Sequence, residues 1–166
     1  MKSTIIMCPE YVPPLLIYLE DRGITMKDLM ETALEFYVPH PGIETKAKAE
    51  ALLKQELYDA LEDVNVSTLV VAAFRVQEDA EAGKIPGLSR ERFQGRPGLV
   101  ADELLGLVIA DYIAGARGIF EFTRFDQAKP GILKKLGAIS NDAVGGLVAG
   151  ASSNMYTQAL RKANTQ

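Results

Sequence analysis

Cysteine is almost absent from this chain: Cys8 is the only one in 166 residues. One thiol cannot build an intrachain disulfide framework, and a zinc site made of cysteines is excluded with it. This usage fits a reducing compartment. An excess of basic charge is also lacking. Eighteen Lys and Arg stand against 22 Asp and Glu, a formal net charge of −4. That excludes a nucleic-acid binder working through overall positive charge, and no nucleic-acid partner is expected. There is no long uncharged apolar run. The most apolar stretch, residues 99–113, carries Asp102, Glu103 and Asp111, whereas a membrane span needs about 18 apolar residues with few or no charges. The apolar stretch in residues 1–14 is too short for a signal peptide, and Glu10 follows it. The expectation is a cytoplasmic protein without a transmembrane segment.

Familiar catalytic signatures are missing as well. The chain has no Walker A loop, no G-x-G-x-x-G after a strand, no H-E-x-x-H and no nucleophile elbow. The single histidine, His40, lies in a Pro-flanked loop. A Ser-His-Asp triad would have to use it, and nothing else points there, so a packing or hydrogen-bonding role is expected. Tyr18, Phe36 and Tyr37 fit core stripes better than a ligand cage.

What the chain does contain is helical signal. Hydrophobic residues make up 48% and charged residues 24%, ordinary for a globular domain, and at roughly 150 residues per domain the length fits one, spanning 1–166. Pro13 and Pro14 precede LLIYLEDR and Gly23 follows it, a helix start and stop. Thr25 and Asp28 form a capping pair before a second helix that should end near Tyr37, at the VPHPG breaker. Thr45 caps a third helix through about Asp63, with a stripe of Ala49, Leu52, Leu53, Leu57, Ala60, Leu61 and Val64. Residues 66–82 begin with a β-branched run that also suits a buried strand; Ala72, Ala73 and the polar end favour a helix closing at Gly83. Residues 84–98 read as a surface loop with one turn near Ser89. Residues 98–114 form a helix apolar on every side, the pattern of a helix in the middle of a bundle. Further helices are expected over about 119–128, stopped by Pro130, and about 141–162, the last rich in Gly and Ala. The expected fold is all-α, a central buried helix surrounded by five or six others.

Three clusters carry chemistry. Asp102 shares a helical stripe with Leu99, Gly106, Ile109 and Ile113, and Glu103 with Leu99, Leu107, Ala110 and Ala114. Both carboxylates then leave apolar faces and must be paired, protonated or metal-bound; a basic partner in the core is the simpler alternative. Asp126 and Lys129 are three apart before Pro130, which taken alone is a surface ion pair with the lysine head free. Asp142 shares a face with Gly145, Gly146, Ala149 and Ser153, small residues that would bring the last helix against the central one and Asp142 near Asp102 and Glu103; taken alone it is a helix N-terminal charge. Several acids with one lysine suit a hard divalent cation, which prefers oxygen ligands plus a substrate phosphate, with the lysine on the phosphate.

At these residues the chain resembles the phosphatidylglycerophosphatase A family, in particular its soluble branch, the low-temperature-requirement C and YutG-like proteins. The stretches VADELLGLVIADYIAG, RFDQAKPGIL and NDAVGGLVAG carry the resemblance, over roughly residues 98–155. The family pattern is a D-E pair followed by Gly, then F-D-x-x-K-P, then D-D-x-x-x-G. These fall on Asp102, Glu103 and Gly106; on Phe125, Asp126, Lys129 and Pro130; and on Asn141, Asp142 and Gly146. The chain departs from the pattern at Asn141, which stands where the family has an aspartate, and in lacking the Gly-rich N-terminal segment and membrane spans of the membrane enzymes. The resemblance implies a Mg²⁺-dependent (or Mn²⁺-dependent) phosphatase, a phosphomonoesterase acting on phosphatidylglycerophosphate in lipid metabolism or on α-ribazole 5′-phosphate in cobalamin biosynthesis. It implies that Asp102, Glu103, Asp126 and Asp142 are the catalytic and metal-binding acids and that Lys129 and Asn141 bind the substrate. The implied partner is a phosphorylated small molecule or a phospholipid head group. Two other readings stay open: a non-catalytic helical domain binding a phosphorylated ligand or protein partner, and a homo-oligomer packed through the Gly/Ala-rich last helix.

Overall fold

The computed structural model describes residues 11–95 and 99–165. Cys8, the N-terminal apolar stretch and Gly98, the expected start of the apolar helix, lie outside these. The described residues form eight α-helices and one 3-10 turn and contain no strand. The helices are α1 (Pro14–Glu20), α2 (Met26–Leu34), α3 (Lys46–Glu62), α4 (Val64–Glu81), α5 (Arg90–Gly95), α6 (Ala101–Ala114), α7 (Ala116–Ala128) and α8 (Ala138–Ala163), with the 3-10 turn at Gly131–Lys135. None is long and apolar enough to cross a membrane.

The N-terminal helices start where their local chemistry says. Pro14 sits in the first turn of α1, and Gly23 (φ 78°) reverses the chain just past its end. Thr25 and Asp28 close a reciprocal capping box at α2: the Asp28 amide donates to Thr25 Oγ1 at 3.2 Å and the Thr25 amide donates to Asp28 Oδ2 at 2.8 Å. Helix α2 ends at Leu34, three residues before Tyr37. Thr45 caps α3 through the Lys48 amide. The ambiguous segment 66–82 is helix. The Asp63 carboxylate accepts from the Asn65 and Val66 amides at 2.7 and 3.2 Å, and Val66, Val70, Ala73, Phe74, Gln77 and Ala80 are buried at helical spacing. Tertiary burial overrides the β-propensity of the valines. Val64, expected on the α3 stripe, opens α4 and is 71% exposed. Residues 84–98 contain the short α5.

The central helix is α8, not the apolar helix at 98–114. Every residue of α8 from Ala138 to Ser153 is buried, and α6, α7, α3 and α4 all pack on it, α6 most extensively. Helix α6 has one inner face, Asp102, Gly106, Ile109 and Ala110, and an outer face of Val100, Leu104, Val108 and Tyr112. The reason is steric. A helix contacted from all sides must let several backbones approach, which selects Gly, Ala and Ser over large side chains. Added Cβ atoms show how close the approach is: one on Gly106 would lie 2.6 Å from the Asp142 carbonyl oxygen and clash with the edge of the Phe122 ring, and one on Gly146 would collide with the Gly106 carbonyl.

Helix α8 has no side-chain cap of its own. Gln77 of α4, almost fully buried, supplies one across the interface: its Oε1 accepts from the Ile139 and Ser140 amides at 2.8 and 3.3 Å. Gln77→Ala should therefore destabilise the protein by about 2 kcal/mol, the upper range for a lost cap, because the freed amides are buried. Urea unfolding measures this; a loss below ~0.5 kcal/mol would show that the cap contributes nothing.

Candidate functional site

Helices α7 and α8 run antiparallel: Arg117 near the start of α7 reaches Thr157, and Lys129 at its end reaches Asn141 and Asp142. The turn between them aims the lysine. Lys129 is the C-cap of α7 in the left-handed region (φ 48°, ψ 55°), the only non-glycine residue with positive φ among those described. Its amide still bonds the Phe125 carbonyl at 2.8 Å. Pro130 is buried behind it, and Gly131 (φ 53°) packs against Thr32 of α2. Thr32 Oγ1 accepts from the Ile132 amide at 3.0 Å while donating to the Asp28 carbonyl at 2.6 Å. This turn folds the Lys129 side chain back over α8.

The ammonium meets three oxygens. Lys129 Nζ donates to Asp126 Oδ1, to Asn141 Oδ1 and, at 2.5 Å, to Asp142 Oδ1. The Asn141 amide is oriented for this: its Nδ2 donates to the Gly137 carbonyl at 3.0 Å, which turns Oδ1 toward the lysine. The lysine head is thus engaged and half-buried, not the free surface group expected from its place before Pro130. Asp142 belongs to the second turn of α8 rather than the first, so the helix N-terminal charge reading loses its position.

Asp102 is buried at 6% exposure on the α6 face that meets α8, one turn before Gly106. Its Oδ1 accepts from the Glu103 amide at 3.0 Å, and among the described residues no basic side chain lies within ion-pair distance of it, so the basic core partner is not found. Glu103 lies elsewhere than its helical stripe predicts. It was expected to leave an apolar face of a central helix, but α6 is peripheral and Glu103 projects from its exposed side. The structure therefore joins Asp126, Lys129, Asn141 and Asp142 by hydrogen bonds, while among the described residues neither Asp102 nor Glu103 bonds to that group. Among the described residues no three Asp, Glu, His or Cys side chains converge as a metal group; the convergence here is two carboxylates and one amide oxygen.

Burial dominates the electrostatics. Desolvation raises the Asp142 carboxyl to about 7 against the opposing pull of Lys129, and Asp126 beside it adds to the rise. Lys129 is held above the ordinary lysine range; burial opposes this, but its hydrogen bonds to Asp126 and Asp142 prevail. An acid whose folded pKa is raised stabilises the fold below its unfolded pKa and loses that contribution as pH climbs through the folded value. In metal-free buffer, wild type should lose stability between about pH 4 and pH 7 relative to Asp142→Asn, whose amide does not titrate. Parallel urea titrations across that range test this. Equal pH slopes in the two proteins would show that Asp142 is an ordinary carboxylate.

His40 fills its expected loop role, bridging to Ile43 and packing edge-on against Tyr156 with ring centroids 5.8 Å apart. Two residues that sequence reasoning missed support the site: Gln77, which fixes the start of α8, and Thr32, which fixes the turn after Lys129. Neither lies in a motif, and no local signal identifies them.

Solved structures share this architecture. A protein of unknown function from Bacillus stearothermophilus matches with a TM-score of 0.71 and 22% identity, over 87% of this chain and 96% of that one. Protein YpjQ of Bacillus subtilis, a DUF64 protein, matches at 0.71 and 21%, over 89% and 94%. The low temperature requirement C protein of Listeria monocytogenes matches at 0.70 and 25%, over 87% and 93%. The chain thus has the all-α fold of the DUF64 and low-temperature-requirement C proteins. No family model matches it. At the level of sequence it is 33% identical over 132 residues, 76% of this chain and 99% of the other, to the uncharacterized protein MJ1330 of Methanocaldococcus jannaschii, and it belongs to the family of that protein.

Proposed function

We propose that this chain is a Mg²⁺-dependent phosphomonoesterase that removes the terminal phosphate from phosphatidylglycerophosphate or from α-ribazole 5′-phosphate. The observation that carries the reading is the convergence of Asp126, Asn141 and Asp142 oxygens on the Lys129 ammonium. The motifs F-D-x-x-K-P and N-D, a dozen residues apart at the end of α7 and the start of α8, meet at one point, and their chemistry suits a site handling both a cation and an anion.

The donor set fits a hard cation. It offers two carboxylates and an amide oxygen at one point, with the buried, cation-free Asp102 on the facing helix. Asp126, Asn141, Asp142 and Asp102 are the residues that would hold Mg²⁺; the exposed Glu103 is left out of that set. Bound there, the ion would neutralise charge on phosphoryl oxygens and activate water. In the structure the Lys129 ammonium gives all three of its N–H groups to the Asp126, Asn141 and Asp142 oxygens; with those oxygens on a cation it would be freed to bind a substrate phosphate oxygen. The Gly137 carbonyl keeps the Asn141 oxygen turned inward. Gly106 and Gly146 let the α6 and α8 backbones approach closely beside Asp142.

The test is turnover of p-nitrophenyl phosphate, phosphatidylglycerophosphate and α-ribazole 5′-phosphate with and without Mg²⁺. Hydrolysis should require the metal, and Asp142→Asn should lower the rate about 100-fold or more, as loss of one preorganised charged group in a site does. Asn141→Asp should raise the metal affinity measured by calorimetry, since a carboxylate binds Mg²⁺ better than an amide oxygen. The second reading, a non-catalytic domain that binds a phosphorylated ligand, rests on Asn141, where the chain carries one negative charge fewer than the family pattern. Phosphate binding without turnover on any of the three substrates would select it.

A further inference from the structure

A groove of about 570 Å³ lies between the loop that follows α2, the α7 residues from Ala116 to Arg124 and the second half of α8. That volume falls within the range of small-molecule sites. Its residues on α8 start at Ser153, 11 residues and about 16 Å along the helix from Asp142. On α7 the lining reaches Arg124, two residues before Asp126, but no residue of the acidic cluster lines the groove, and nothing in the proposed activity uses it.

Its walls are aromatic and charged. Phe36, Phe120 and Tyr156 line it together with Arg117, Arg124 and one carboxylate, Glu121. Two walls are pinned. The Val38 amide donates to the Tyr156 hydroxyl at 2.9 Å, tying the loop to α8, and His40 packs against the same ring. The Arg124 guanidinium lies 5.3 Å from the centre of the Phe36 ring and makes two hydrogen bonds to Glu121 at 2.9 and 3.1 Å, so its charge is compensated. Arg117 differs: its Nη1 donates to the neutral Thr157 hydroxyl at 3.2 Å, and among the described residues no carboxylate lies within ion-pair distance of it. Phe120, one turn further along α7, is 70% exposed at the groove edge. An uncompensated guanidinium beside an uncovered aromatic ring is complementary to a planar apolar group bearing one negative charge.

We infer that this groove binds a small aromatic ligand carrying a single anionic group, its ring against Phe120 and Tyr156 and its anion on Arg117. The inference stands apart from the phosphatase reading. Its probe is 2-naphthoate, titrated calorimetrically into the full chain, with the neutral 2-naphthamide as control. Naphthoate should bind with a Kd below about 1 mM and at least about fivefold more tightly than naphthamide. Arg117→Gln should abolish that preference. Phe120→Ser should weaken both probes. Both substitutions change exposed side chains, so thermal melts should be unchanged. Leu104→Ser, which alters the exposed outer face of α6, should leave naphthoate affinity intact. The proposal is overturned if naphthoate fails to bind, if Arg117→Gln retains the preference for the anion, or if Leu104→Ser removes binding.

Discussion

Gly146→Leu is expected to leave the protein unfolded at 25 °C, and Gly146→Ala to lose about 3 kcal/mol. A Cβ at this position collides with the Gly106 carbonyl and comes within 3.1 Å of its carbonyl carbon. The obstacle is backbone, so no rotamer change relieves it. Helices α6 and α8 would have to separate, exposing Ile109, Ala110 and Phe122, all buried in the present packing. Overpacking costs about 1–3 kcal/mol when side chains can adjust, and more when they cannot. Total stabilities of about 5–15 kcal/mol leave little margin for leucine. The control is one residue away. A Cβ on Gly145 meets only the edge of Phe122 at 3.4 Å and Leu133 at 3.6 Å, so Gly145→Ala should be neutral or stabilise by up to about 1 kcal/mol through helix propensity. Urea unfolding of both alanine variants decides the point. If Gly146→Ala behaves like Gly145→Ala, the contact is not what holds α6 against α8.

The second large effect is expected at Lys129, where backbone and charge can be separated. Lys129→Ala keeps a side chain in the left-handed region but removes the ammonium from between Asp126 and Asp142. Two carboxylates then face each other, one of them buried. Removing one partner of a buried pair costs about 3–5 kcal/mol. The half-exposure of the lysine puts the loss at the lower end, about 3 kcal/mol at pH 8. The loss should shrink below pH 7, where the raised Asp142 carboxyl takes up a proton. Lys129→Gly removes the same charge and also relieves the φ of 48°, recovering about 1 kcal/mol. Under the proposed phosphatase reading both variants should lose about 100-fold or more in rate, and inhibition by inorganic phosphate should weaken about tenfold. Melts at two pH values with phosphate titrations check each part. An alanine variant as stable as wild type at pH 8, with unchanged phosphate affinity, would return Lys129 to the role of a solvated surface cation.

Much of the local architecture was legible from sequence because its signals act over a few residues. Pro14, the Thr25–Asp28 box, Thr45 and the breaker at 38–42 each fix a boundary through their own hydrogen bonds or fixed φ, and the helices begin within a residue or two of where these signals fall. Asp63 is the exception among the caps. It was assigned to the end of α3, yet its carboxylate starts α4, since one residue can serve as C-cap of one helix and N-cap of the next. The meeting of Asp126, Lys129, Asn141 and Asp142 was legible as motifs but not as a geometry. Sequence spacing gives i,i+3 proximity of Asp126 and Lys129. It does not give the left-handed cap that turns Lys129 onto a helix a dozen residues away.

By itself the sequence determined that the fold would be all-α, where its N-terminal helices begin, and that close helix approach would fall to the small residues Gly145, Gly146, Ala149 and Ser153. The physical reason is that caps, breakers and the 3.6-residue period are local, so the chain declares them wherever it is read. Tertiary structure alone decided which helix is central, that Glu103 faces outward while Asp102 is buried, and that Gln77 and Thr32 hold the site from other helices. These depend on which faces meet. A helix of large apolar residues and a helix of small ones both read as buried from composition, but only the small one can be approached by several backbones at once. That packing puts α8 in the middle, turns the apolar α6 into a peripheral helix with an exposed stripe, and brings Asn141 and Asp142 under the reach of Lys129.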